Sequence, residues 1–354
     1  DNRIGSSLMS FTQGLTYAYR QGKMLSNDLL AYASLSEVKR SLNYGDHSLA
    51  GWTDYAENAR PSIYGLRDAL RFKWLGDTAE ILVSAEVALY NFISHGENFV
   101  PKNFFIFRTM PDIADENAAV KIAVSPVLNI LVGGFFENRF TYGGLTVVPG
   151  LRVEYLDRSD HVIADPRLFV SYEFRTDTTI SIAGGMYSSF YQVNPYYFDY
   201  LQYVSEIGSG LKPARSVHSA LGLEQKVFIF TIRAEGFFNY FWDMGVSNAY
   251  LDNYFDNTAQ LMAFGAELSL RIGRDARSKG FSGFVSYAYT RTKYKSGLPD
   301  LYDGAVQVIW GGDRFVRCDY EKEHLFKFVL EYAYKKHSIS AKFQLGSSFP
   351  YTPI

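Results

Sequence analysis

The chain has 354 residues, and its 35 Lys and Arg against 37 Asp and Glu leave a formal charge of −2, so it offers no polycationic face to a nucleic acid. A single cysteine, Cys318, excludes an internal disulfide framework. Hydrophobic residues make up 47%, yet the most apolar window, Ile122 to Phe136, is broken by Ser125, Pro126 and Asn129. It falls short of the roughly twenty apolar residues that a membrane helix needs. If the chain crosses a bilayer it does so as a closed sheet, the other way to satisfy every backbone polar group in hydrocarbon.

From the N-terminus onward, apolar residues recur with a period of two, the signature of strands with chemically different faces. Ile81, Val83, Ala85, Val87 and Leu89 alternate with Leu82, Ser84, Glu86, Ala88 and Tyr90. Phe230, Ile232, Ala234, Gly236, Phe238 and Tyr240 alternate with Thr231, Arg233, Glu235, Phe237 and Asn239. Met262 to Ile272 is the clearest case, eleven residues long, which suits a tilted strand crossing hydrocarbon. The pattern predicts strands near 6–20, 27–40, 62–75, 79–92, 118–125, 128–139, 145–156, 166–176, 178–191, 214–226, 228–242, 259–272, 280–293, 323–335 and 337–347. No helical stripe interrupts them.

The connections sort by length. Short ones are expected at Gln21–Gly22, Gly76–Thr78, Arg175–Thr178, Gln225–Val227, Gly273–Lys279 and Lys335–His337, and long ones at 41–61, 93–117, 192–213, 243–258 and 294–322. From residue 145 onward long and short strictly alternate, as in an outer-membrane barrel with tight periplasmic turns and long outer loops. One region breaks this parity. Between 117 and the Gly143–Gly144 turn an odd number of strands is required, whereas the pattern suggests two, split at Ser125–Pro126.

Energetics assign the faces. A Lys or Arg facing lipid at midplane costs roughly 2–4 kcal/mol, whereas a wet lumen accepts it. Glu86, Arg152, Glu154, Arg233, Glu235, Glu267, Arg271, Lys327 and Glu331 fall on one parity of their strands and are expected to face the lumen. Tyr240, Trp242, Tyr287, Tyr289, Tyr332 and Tyr334 lie on the apolar parity near strand ends, where an aromatic girdle belongs. Asp68 is an exception on the apolar parity, expected near a rim.

Several motifs in order then resemble one family. Pro149-Gly150-Leu151-Arg152-Val153-Glu154-Tyr155 precedes Asp165-Pro166-Arg167-Leu168, followed by Gly185-Met186-Tyr187 and Lys212-Pro213-Ala214-Arg215-Ser216. Leu221-Gly222-Leu223-Glu224, Phe237-Phe238-Asn239, Gly265-Ala266-Glu267-Leu268 and the closing Gly346-Ser347-Ser348-Phe349-Pro350-Tyr351-Thr352-Pro353 continue the series. Together these resemble the barrel of TonB-dependent outer-membrane receptors, with 1–144 similar only in strand pattern. The resemblance implies an all-β fold, a transmembrane antiparallel β-barrel, of which the chain supplies about fourteen to sixteen strands of a 22-stranded whole. It is expected to be a barrel fragment over 1–354, with the plug domain and the last strands outside this chain.

The resemblance further implies an outer-membrane protein of a diderm bacterium, taking up a scarce bulky nutrient (a ferric siderophore, cobalamin or a glycan). The partners would be the lipid bilayer, the nutrient, and the TonB–ExbB–ExbD complex acting through the plug. No enzymatic constellation, cofactor motif or metal-ligand spacing is present, and the six histidines are scattered. His218, on the lumen parity with Ser216, reads as a wall residue. Ligand contact is expected in two loops rich in rings with polar tips, through Tyr196, Tyr197, Tyr200 and Tyr203, and through Tyr250 and Tyr254. Asp252 and Asp256 match no calcium loop. The alternatives are a passive selective porin, an adhesin or structural barrel, and a soluble β-protein.

The sidedness has a direct test. Leu268→Arg should impair membrane assembly, at a cost of about 2–4 kcal/mol, whereas Glu267→Gln should leave it intact, as read by heat-modifiable migration of the folded barrel. Equal tolerance of both changes would contradict the assignment.

Overall fold

The computed structural model describes residues 3–44, 53–99, 127–190, 211–247, 255–273, 280–296, 314–318, 321–334 and 337–348. They form one antiparallel sheet. Its strands are β1 (Arg3–Gln21), β2 (Leu25–Tyr44), β3 (Thr53–Lys73), β4 (Ala79–Phe99), β5 (Val127–Tyr142), β6 (Leu145–Leu156), β7 (His161–Glu173) and β8 (Thr178–Ser189). They continue as β9 (Ala214–Val227), β10 (Phe230–Ser247), β11 (Phe255–Ile272), β12 (Gly280–Lys295), the two-residue β13 (Val316–Arg317), β14 (His324–Tyr334) and β15 (His337–Gly346). Each strand pairs with its sequence neighbours from β1 to β12, then β14 and β15, while β13 pairs with β12 above the start of β14. This up-and-down path is the wall of a partial transmembrane β-barrel.

The two faces are inverted relative to a soluble protein. Leu221, Leu223, Ile232, Phe238, Leu268, Tyr287, Tyr332 and Phe343 lie on the apolar parity and are exposed. Ser84, Asn129, Glu154, Asp165, Ser216 and Ser286 lie on the charged parity and are buried. Polar residues crowded together opposite exposed apolar ones mark the concave, inner side of a curved wall bathed in lipid. Asp68 lies outward, as its parity requires, five residues before the end of β3 beside the short turn, and accepts a 2.7 Å hydrogen bond from Asn27 Nδ2.

Turn chemistry closes the short-turn rim. Gly22, Gly76, Gly143 and Gly144 take positive φ, and the Gly143–Gly144 pair joins β5 to β6 as a two-residue hairpin that needs φ > 0 at both positions. Asp177 occupies the same left-handed region between β7 and β8.

The structure differs from the sequence expectation in three places. The region from 118 to 125 lies outside the described residues, but β4 pairs directly with β5 from Phe92–Val127 to Ala79–Phe140, so no strand stands between them. A single strand therefore restores the parity. The connection after β6 is a four-residue turn, Asp157–Asp160, rather than a long loop, so the alternation is not strict. Pro166 hid the start of β7, because proline inside a strand argues against pairing; here it stands opposite Leu151 within the ladder. Asp157 builds the turn, its Oδ1 accepting from Ile130 N at 2.8 Å and Arg158 N at 2.7 Å.

Several strands also outrun their expected ends. β4 continues seven residues beyond the Phe92–Val127 pair, to Phe99, and β5 four residues beyond the Leu131–Leu156 pair. Along these extensions the apolar alternation fades in the sequence while the backbone ladder persists. Among the described residues the outer edge of the sheet is stepped, lowest at β6–β7.

At Gly144, φ is +87° and an added Cβ would sit 2.5 Å from the Glu173 carbonyl oxygen, whereas at Gly143 it would meet nothing. Gly144→Ala should destabilise the barrel by roughly 1–2 kcal/mol, from the left-handed backbone and the clash combined. Gly143→Asn should be nearly neutral, since Asn tolerates this conformation. Urea unfolding in lipid vesicles checks both.

Candidate functional site

The inner face is built in register rows. Arg67, Glu86, Gly133, Glu154 and Ile163 are successive partners across β3 to β7, and Ala69, Ser84, Phe135, Arg152 and Asp165 form the row beside them. Arg67 thus stands opposite Glu86 and Arg152 opposite Asp165, while β5 contributes no charge to either row. Arg152 donates from Nε to Glu154 Oε1 at 2.6 Å, and its Nη1 lies 3.9 Å from Asp165. Asp165 is fully buried, and its carboxylate accepts from Ser188 N at 2.9 Å and Ser188 Oγ at 2.7 Å. This cluster ties β6, β7 and β8 together. Tyr32 on β2 donates from its hydroxyl to Glu86 Oε1 at 2.7 Å, spanning β3.

These groups surround an open concavity of about 370 Å³ whose walls include Arg67, Ser84, Glu86, Arg152, Glu154 and Arg167. Gly133 lies in its wall, and glycines recur beneath the larger inner side chains. A Cβ on Gly133 would lie 2.7 Å from Glu154 Cγ, one on Gly185 would lie 2.9 Å from Arg167 Cγ, and one on Gly65 would collide with the Tyr32 ring. The same holds for Gly222 beneath Ser181 and Gly265 beneath Phe237. Each glycine faces a larger side chain on the neighbouring strand. These side chains lie down across the wall instead of standing into the lumen.

Further round, Arg167 stacks its guanidinium 4.4 Å above the Tyr187 ring, Tyr187 packs on His218 at 4.6 Å, and His218 on Phe241 at 5.3 Å. Arg233 pairs with Glu235 at 2.6 Å, and Glu235 stands directly opposite Glu267. The cation beside Glu235 offsets that like-charge juxtaposition. Register places Arg271 opposite Thr231, Lys327 opposite Ser286 and Glu331 opposite Ser282, on the same face as the rest. Nearer the outer rim, Ala88, Leu131, Leu156, Ile163 and Phe190 form a small apolar cluster. The described residues hold no group of three or more His, Cys, Asp or Glu able to bind a metal.

All nine charged residues singled out in the sequence thus share one face. Tyr196, Tyr197, Tyr200, Tyr203, Tyr250 and Tyr254 lie outside the described residues. Sequence reasoning passed over Tyr32, Arg67, Asp165 and Tyr187. The parity of β2 and β3 could have found the first two, but Asp165–Ser188 depends on a contact 23 residues apart.

On the outer face near the outer rim, Tyr240 and Trp242 stack at 5.9 Å, and the Tyr287 hydroxyl lies 2.8 Å from His324 Nδ1. Beside them is an ion-pair clasp. Arg291 donates to Glu323 at 2.7 Å, while Arg317 reaches both Glu323 at 2.6 Å and Glu321 at 2.7 Å. The Glu321 carboxylate also accepts from the Thr292 backbone N–H, filling the place of a missing strand partner. The clasp pins β13 to β12.

An antiparallel wall with lipid-exposed apolar residues outside, ion-paired residues inside and unequal rims defines an outer-membrane β-barrel. No protein-family model and no curated protein matches the chain. Among solved structures it is similar to the ferric-catecholate import receptor Fiu of E. coli K12, at 11% identity over 96% of this chain and 53% of that one, with a TM-score of 0.65. It is similar to the FrpB iron transporter of Neisseria meningitidis, at 15% identity over 97% of this chain and 56% of that one, TM-score 0.60. The ferric yersiniabactin uptake receptor FyuA of Yersinia pestis gives 12%, 98%, 50% and 0.61. The chain therefore has the barrel fold of TonB-dependent outer-membrane receptors and spans about half the length of these solved proteins.

The clasp makes a pH prediction. The hydrogen bond from Arg291, with the charge of Arg317 beside it, holds the Glu323 carboxyl below its usual range. Its stabilisation is therefore present above the ordinary carboxylate pKa and is lost as pH falls through the depressed value. A nitroxide on the native Cys318 should be immobile at neutral pH and gain mobility in acid, and Glu323→Gln should be mobile at both.

Proposed function

We propose that the chain is the greater part of the barrel wall of an outer-membrane uptake receptor, with its plug and remaining strands supplied by the rest of a longer polypeptide. Transport would then be energised through that plug by the TonB–ExbB–ExbD complex. The observation that carries this reading is the inner face, where polar and aromatic side chains, Glu154, Arg167 and Tyr32 among them, lie flat over glycines. Such a wall leaves the bore free for a large occupant while presenting polar groups to it. A self-contained pore would narrow its own lumen with loops and standing side chains to become selective.

The substrate we propose is a ferric chelate. Support comes from the similar solved proteins, whose names specify a ferric catecholate, iron and ferric yersiniabactin. Cobalamin and glycans are the runners-up within the same class of scarce, bulky nutrients. Recognition would fall to the outer loops, including the Tyr-rich stretches 194–203 and 242–255, because the described wall carries no metal-binding group. No chemical step is assigned to the chain, which acts as a conduit and not as a catalyst.

Deletion of the gene should abolish uptake of one radiolabelled ferric chelate while leaving small-solute permeation unchanged, and deletion of TonB should reproduce the defect. Normal uptake of iron chelates, cobalamin and glycans in the deletion strain would refute the reading. Uptake lost on gene deletion yet independent of TonB would favour a passive porin.

A further inference from the structure

The short-turn rim contains one position whose backbone and side chain disagree. Among the described residues, positive φ occurs at six glycines, at Asp160, Asp177 and Asp243, and at Phe228 (φ 52°). Glycine takes this conformation without steric cost, and aspartate is one of the few other residues that adopts it readily in turns. A bulky aromatic there is a genuine outlier. Phe228 also begins the two-residue turn between β9 and β10, and its ring is 90% exposed. In water this combination gains nothing: the backbone is strained and the ring is unburied.

The surroundings specify what repays it. Phe228 and Ile229 are flanked by Val227 and Phe230, an outward-facing pair in register, so four successive residues carry no polar side chain. Val227, Ile229 and Phe230 are all exposed. The turn docks beside the next connection, with Gly273 N donating to Ile229 O at 3.1 Å. Ile232 continues the outward apolar face above Phe230, and on β9 Gln225, hydrogen-bonded to Thr178 and to the Thr176 carbonyl, stands between Val227 and the exposed Leu223. The adjacent β7–β8 turn, by contrast, presents Arg175, Thr176 and Asp177, and Asp177 takes the same left-handed conformation with a side chain suited to water.

We infer that the Phe228–Ile229 turn is a membrane anchor, seated in the acyl–headgroup boundary of the leaflet next to the short turns. The partner is lipid, because the turn continues the lipid-facing band and offers no polar group for recognition by a protein. The wall is thus sunk deeper into the bilayer at β9–β10 than at β7–β8, and the apolar ring holds that depth. This inference rests on reading the chain as a membrane barrel.

The test uses site-directed nitroxides on the complete outer-membrane protein in phosphatidylethanolamine–phosphatidylglycerol vesicles, in a Cys318→Ser background. Labels at Phe228→Cys, Leu268→Cys and Asp177→Cys are compared for collision with oxygen, which partitions into lipid, and with a water-soluble nickel chelate. The label at 228 should follow that at 268, with oxygen collisions several-fold above those at 177 and nickel collisions correspondingly suppressed. If 268 reports lipid but 228 reports water as 177 does, the anchor is refuted and the barrel stands. If 228 is shielded from both reagents, a protein covers the turn and the lipid assignment is wrong. If 268 itself reports water, the membrane reading fails and the anchor with it.

Discussion

Everything in this wall depends on the need for each backbone N–H and C=O to find a partner when lipid replaces water. Where a stranded group costs several kcal/mol, a strand cannot end or leave the sheet inside hydrocarbon. The ladders of β1, β2, β3 and β4, nineteen to twenty-one residues long, meet this demand with length to spare, since hydrocarbon alone requires about nine to eleven. Once the ladder is obligatory, the period of two does the rest. It delivers alternate side chains to lipid and lumen, and polarity then decides which set goes where. The clasp at Glu321 obeys the same rule at the edge, since a carboxylate stands in for the strand that stops short of Thr292.

Period-two sorting is why so much of the fold could be read from residues alone. Met262, Phe264, Leu268 and Leu270 against Glu267 and Arg271 specify both a strand and its two environments, and the register of β10 with β11 follows that division. Legibility fell wherever the alternation stopped. The outer extensions of β4, β10 and β11 keep the backbone pairing, but their sequences carry no apolar alternation that would mark them. Pro166 concealed the start of β7 because a local rule about proline was overridden by pairing with Leu151.

The inner face was legible as a set of charges but not as an arrangement. Arg152 and Glu154 lie two residues apart, so their shared face is a sequence property and their salt bridge is a short step from it. Asp165 with Ser188, and Tyr32 with Glu86, require the register of several strands at once. The glycines were harder still. Gly65, Gly133, Gly185, Gly222 and Gly265 look like weak points in strands, and their purpose emerges only when the larger residue on the next strand is seen lying across each.

The stepped rim has a further consequence. At about 3.3–3.4 Å per residue, the seven-residue excess of β4 over β5 and the four-residue excess of β5 over β6 lower the wall by a few tens of ångströms along the strands. The dip ends at the tight Asp157–Asp160 turn, which is held down by Asp157 and carries no long loop to fill it. Among the described residues the edge of the wall is therefore a saddle and not a level rim. Its lowest described point lies at the β6–β7 turn, above the fully buried Asp165 and the small apolar cluster around Phe190.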